Sequence, residues 1–156
     1  MRKYISKYLL LSILFILAST FSFSQAQAFI KKYQKISDSL SREFGIPSSI
    51  ILAVAIVESE SGKSRNSKLL NNYFGIIGKN NLRAQYKIKT RYKQYSDSVG
   101  SFIDFCKLIQ KKNYYTHLKG NNDYNKWVKA ISKNGYSEFP KEWSSRVLLT
   151  IKKYKL

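Results

Sequence analysis

The chain has 156 residues, and its 28 Lys and Arg against 9 Asp and Glu give a formal charge of +19. One cysteine and one histidine supply neither a disulfide framework nor the clustered ligands of a protein zinc site, so no metal and no other cofactor is expected. So one-sided a charge seeks a polyanion, but no recognisable nucleic-acid-binding motif accompanies it, and nucleic acid is not the expected partner.

At the N-terminus, Arg2, Lys3 and Lys7 precede an apolar stretch from Leu9 to Phe23, and Ala26-Gln27-Ala28 supplies small residues around a cut. That is the pattern of a secretory signal peptide over residues 1–28. Ser12, Ser19, Thr20 and Ser22 dilute the apolar run, which is short of the roughly 20 residues that span a bilayer; an uncleaved anchor is the competing reading. The expected product is residues 29–156, one domain exported to the periplasm, envelope or exterior, with no transmembrane span. It keeps 25 cations against 9 acids, a charge of +16. Anionic cell-wall polymers or a charged surface are the partners that this implies.

The first helix of that domain is predicted over Phe29 to Phe44, with Ile30, Tyr33, Ile36, Leu40 and Phe44 on one side and Gly45 as its stop. Pro47 opens the next helix. Its run Ile50 to Val57 is apolar nearly all round, the mark of an enclosed central helix. The run ends in Glu58, which places one carboxyl group at the polar end of a buried element. Desolvation disfavours the charged form of such a group and keeps it protonated to higher pH. Glu58 is therefore the candidate general acid. Glu60 lies roughly 200° away around an ideal helix, so the two do not form a carboxylate pair.

Leu69 to Asn81 reads as an Asn- and Gly-rich loop. Gln85 to Lys93 alternates, with Tyr86, Ile88, Thr90 and Tyr92 opposite Lys87, Lys89, Arg91 and Lys93, which predicts a strand. A third helix is expected over Ser98 to Lys111, with Cys106 as a small core residue. Trp127, Val128 and Ile131 mark a fourth that stops at Asn134-Gly135, and Trp143, Val147, Leu148, Ile151 and Tyr154 a last one after Pro140. The expected fold class is α+β, mainly helical, with one small β element.

Four ordered segments carry a family resemblance. GIPSSIILAVAIVESESGKS, NNYFGI at Asn71 to Ile76, YSDSVGSFID at Tyr95 to Asp104 and YNKWVKAISKNGYSEFPKEWSSRV at Tyr124 to Val147 resemble, in sequence and spacing, the glucosaminidase family of peptidoglycan hydrolases. That group includes flagellar and autolysin-type endo-β-N-acetylglucosaminidases. The resemblance implies a lysozyme-like domain over 29–156 that cleaves the β-1,4 bond after N-acetylglucosamine in peptidoglycan glycan strands. It puts Glu58 on the catalytic acid position. Tyr136 matches the turn tyrosine near the cleft, where it would orient the substrate or face the developing charge, or simply pack at a helix end. Asn72, Tyr73 and Phe74 would line the cleft, amides reading N-acetyl groups and rings stacking on sugars, and Gly75 would let the backbone approach closely.

The chain also departs from the family. Glu60-Ser61 stands where many members have Gly and an aromatic residue, Phe139 stands where an acidic residue follows the Gly-Tyr turn, and Ile76 to Tyr95 contains no acid. Members often place a second, water-activating acid in that segment. Asp97, Asp104, Asp123 or Glu138 would have to approach from elsewhere, the substrate's N-acetyl oxygen would have to assist, or turnover has been lost. The competing functions are accordingly a cationic wall-binding protein on a weakened hydrolase fold, and a lytic transglycosylase that needs one carboxylate.

Overall fold

The computed structural model describes the backbone of residues 2–156 and the side chains from Phe23 onward. Its helices are α1 (Arg2–Phe44), α2 (Ser48–Ser59), α3 (Arg65–Leu70), α4 (Leu82–Tyr86), α5 (Ser98–Gln110), α6 (Tyr115–Leu118), α7 (Tyr124–Lys133) and α8 (Pro140–Tyr154). Helix α2 is the hub. Ile50 to Val57 are all buried, and α1, α7 and α8 pack around it. Each Ile, Leu and Val side chain among them contributes about 1.5–3 kcal/mol when fully buried, so the apolar run that predicted the helix also anchors the core.

Local chemistry fixes the helix ends. Pro47, at φ −54°, precedes α2. Asp97 and Asp123 cap α5 and α7, their carboxylates accepting from Gly100 N at 2.9 Å and Asn125 N at 3.0 Å. The exit of α2 is unusual. Glu60, Ser61 and Gly62 are all left-handed, at φ 53°, 55° and 81°, a conformation that costs an L-residue roughly 1–2 kcal/mol. Ser59 holds the turn: its Oγ donates to Ala55 O at 2.6 Å and accepts from Gly62 N at 2.9 Å. Glu58 thus occupies the last turn of a helix whose exit is tied down.

The domain is mainly helical, as expected, and its β element is minimal: a single antiparallel bridge, Ile77 with Tyr92. Lys93 N donating to Ile76 O and Gly78 N donating to Arg91 O flank it. The strand predicted over Gln85 to Lys93 does not form. Leu82 is buried and seeds the short α4, and Lys87 ends it in the left-handed region at φ 58°, which breaks the alternation near its start.

Most of the expected signal peptide, residues 1–22, lies outside the described side chains. The backbone of α1 continues through Ala28. Ala26 and Phe29 are buried, and Gln25 Nε2 donates to Ser61 O at 3.4 Å. Among the described residues no helix is long and apolar enough to cross a membrane.

Candidate active site

The end of α2 meets α8 and the loop after α3 at Glu58. Its Oε1 accepts a 2.7 Å hydrogen bond from Trp143 Nε1 on α8. Its other oxygen faces Gly75: a methyl group built on Gly75 would lie 3.6 Å from Glu58 Oε2 and 3.9 Å from a ring carbon of Tyr92. One oxygen is therefore anchored, and the other borders the space beside the loop. Burial pushes the Glu58 carboxyl above its ordinary pKa, although the Trp143 hydrogen bond and the Arg146 charge pull the other way. The balance favours the protonated form that a proton donor needs.

Trp143 reads in the sequence only as a core position of the last helix. It is 4% exposed, and a buried indole N–H seeks a partner; that rule is the signal that could have linked it to an acid 85 positions away. Its ring also lies 5.3 Å from that of Tyr136. Trp143→Phe keeps the ring and removes the donor. Turnover is expected to fall about tenfold, and the basic limb of the pH profile to move to higher pH, because the lost bond favours the ionised form. A pH–rate profile checks this; an unmoved basic limb would show that the bond does not tune the acid.

The NNYFGI loop has a different job from the one its composition suggests. Asn72 is 1% exposed, and its amide serves the backbone. Nδ2 donates to Ile76 O and Lys93 O at 2.8 and 2.9 Å, and Oδ1 accepts from Phe74 N and Ile76 N at 3.3 and 3.1 Å. Tyr73 shares a 2.9 Å hydroxyl–hydroxyl bond with Tyr33. Phe74 stacks on Phe105 with centroids 4.4 Å apart. All three side chains, expected to line the cleft, are buried, and Asn72, Tyr73 and Phe74 shape the loop from within. Gly75, at φ +66°, is the part of the loop that reaches Glu58.

Tyr136 donates from its hydroxyl to Phe74 O at 2.9 Å. That proton is already engaged, and the contact ties the turn before α8 to the loop. Beside this tie a depression of about 270 Å³ is walled by Phe74, Ile77, Leu108, Tyr114 and Tyr136, apolar enough for sugar faces. Four other acids raised by the sequence have defined positions. Asp97 and Asp123 are the caps described above. Asp104 accepts from Lys93 Nζ at 2.6 Å and Tyr95 OH at 2.8 Å, which hold its carboxyl below the usual range. Glu138 is exposed and 3.9 Å from Arg91. Among the described residues no cluster of His, Cys, Asp and Glu is arranged to hold a metal.

A carboxyl group held toward protonation beside a groove of sugar-ring character is what the oxygen of a glycosidic bond requires, and the helical frame around it is lysozyme-like. These features fit the class of glycoside hydrolases, and the family match shows it. The family model described as mannosyl-glycoprotein endo-beta-N-acetylglucosaminidase matches residues 23–156, and the chain belongs to this glucosaminidase family. A curated relative, the exo-glucosaminidase LytG of Bacillus subtilis, is 28% identical over 186 aligned positions that take in 97% of this chain. The chain spans 64% of that relative's length. Among solved structures, the catalytic domain of the autolysin Auto from Listeria monocytogenes superposes with a TM-score of 0.69 at 22% identity, over 84% of this chain and 85% of that one. The glycoside hydrolase domain of FlgJ from Salmonella typhimurium gives 0.65 at 20% identity, over 83% and 88%. Both likenesses establish the fold.

Proposed function

We propose that the protein is an exported peptidoglycan hydrolase that cleaves the β-1,4 bond after N-acetylglucosamine inside glycan strands, with Glu58 as general acid. The observation that carries the reading is the split between the oxygens of Glu58: Oε1 is held by Trp143, and Oε2 borders Gly75 and Tyr92. Glu58 gives its proton to the leaving oxygen as the C1–O bond breaks. Tyr136 acts by positioning the Phe74–Gly75 backbone beneath that oxygen. The signal peptide ends at Ala28, and the +16 charge of the remainder retains the enzyme on anionic wall polymers. Release of new reducing ends from purified peptidoglycan tests the activity; wall binding without release would favour the adhesin instead.

The second chemical step falls to the substrate in this reading. Asp97, Asp104 and Asp123 are committed to caps and an ion pair, and Glu138 is 82% exposed at its side chain and faces Arg91. The N-acetyl oxygen bonds to C1 as the leaving group departs. Water then adds at C1, breaking the bond from C1 to the N-acetyl oxygen and restoring the N-acetyl group, and returns a proton to Glu58. Glu138→Gln is accordingly expected to keep activity within about twofold, whereas loss of a general base costs about 10²-fold or more. A loss of that size on reducing-end release would assign the water to Glu138.

A further inference from the structure

Another concavity opens on the far side of the α2 exit. It measures about 460 Å³ in the full chain and is bounded by the end of α2, by α8 and by Gln25 of α1; Gln25 belongs to the segment that cleavage at Ala28 removes, so in the remaining chain the recess is the face between α2 and α8. Ile56 and Val57 lie buried beneath it, Leu149 is exposed at its side, and its cations are Lys63, Arg146 and Lys153 against one carboxylate, Glu60. Among the described residues the ion pairs are Arg91–Glu138, Lys93–Asp104 and Lys126–Asp123, so Arg146 and Lys153 belong to none. Arg146 spends one N–H on Val57 O at 3.3 Å and has further donors for an incoming acceptor.

The pocket is coupled to the acid through α8. Trp143, Arg146, Thr150 and Lys153 follow one another at spacings of three and four, which places them along one stripe of the helix. The stripe begins at the residue bonded to Glu58 and ends inside the pocket. Arg146 joins the two places, since it lines the pocket and its charge acts on Glu58. In peptidoglycan the anions nearest the cut bond hang from the glycan as carboxylate-bearing peptides on the muramyl residues.

We propose that this recess is a subsite for the carboxylates of the peptide arm, so that the protein prefers peptide-bearing glycan to bare glycan. The proposal rests on the hydrolase reading for the identity of the glycan, but not on turnover for its test. Binding is measured by calorimetry with Glu58→Gln protein, which leaves the ligand intact, using glycan oligomers with their peptides and the same oligomers stripped by an amidase. The peptide-bearing oligomer is expected to bind about fivefold tighter at low salt, with the advantage shrinking as salt rises. Adding Lys153→Glu removes that advantage and leaves binding of the stripped oligomer unchanged. Lys153 is exposed, and Lys153→Gln, expected to remove part of the advantage, guards against a folding effect of the charge reversal. Equal affinity for the two oligomers, or an advantage untouched by Lys153→Glu, would overturn the proposal. So would equal affinity joined to Lys153-dependent binding of a glycerol-phosphate polymer, which would reassign the recess to phosphodiesters. Failure of the hydrolase reading appears separately, as no new reducing ends from wild-type protein.

Discussion

Glu58→Gln is expected to lower the release of reducing ends from purified peptidoglycan by about 10²–10⁴-fold, the range for loss of a general acid, while wall binding persists. The substitution keeps shape and can still accept the Trp143 N–H, so the loss reports the missing proton. It carries a second signature. Burial raises the folded-state pKa of Glu58 above its ordinary value of 4.5, so the stability this group contributes is complete below that value. It is lost as pH rises through the raised folded-state pKa. Above that raised pKa the folded protein holds a carboxylate where its surroundings favour the neutral form. Glu58→Gln is therefore expected to unfold at a higher temperature than wild type above the raised pKa, with the difference closing below pH 4.5. Thermal unfolding across pH checks it. A variant that loses activity and is also less stable at neutral pH would mean that Glu58 serves the fold.

Asn72→Ala carries the largest expected stability effect. The Asn72 amide satisfies two backbone N–H groups and two carbonyls, and alanine leaves four buried or half-buried partners to find others. At about 1 kcal/mol for each net hydrogen bond, the loss is about 3 kcal/mol after partial rehydration, a large share of a stability of about 5–15 kcal/mol. Activity falls with it, because the amide fixes the loop that presents Gly75 to Glu58. Denaturant unfolding gives the number. If Asn72 instead read the sugar, stability would change by less than about 0.5 kcal/mol, as for other surface substitutions, and only KM would rise.

The sequence reading succeeded where one physical rule decides the outcome. The apolar surround of Ile50 to Val57 specifies a central helix whatever packs on it, and the position of Glu58 at its end follows from chain connectivity. Pro47, Gly45 and Asn134-Gly135 mark boundaries through backbone geometry alone, and α5, α7 and α8 appear close to their predicted spans. The segment Gln85 to Lys93 misled because alternation is a side-chain pattern, whereas Leu82 found a buried site and Lys87 took a left-handed conformation that no spacing announces.

The position of Glu58 at the end of α2 was legible in the sequence, and the groups that surround it were not. Residue type alone does not say whether an asparagine in a loop turns to solvent or to its own backbone, and Asn72 does the latter. Nor does periodicity reveal that Trp143 reaches Glu58, since both fit core positions and their meeting is a product of how α8 crosses α2. Among the described aromatic residues, Tyr33, Tyr73, Phe74, Phe102 and Phe105 are buried and form one contiguous ring cluster that positions the loop from behind.

The central claim is that Glu58 drives hydrolysis on the reducing side of N-acetylglucosamine, and the chemical identity of the new chain end tests it most directly. Mass spectrometry of soluble fragments released from purified peptidoglycan should find reducing N-acetylglucosamine ends with the wild-type protein and none with Glu58→Gln. Anhydro-muramyl ends would make the protein a lytic transglycosylase, and identical fragments from the Gln variant would remove Glu58 from the chemistry.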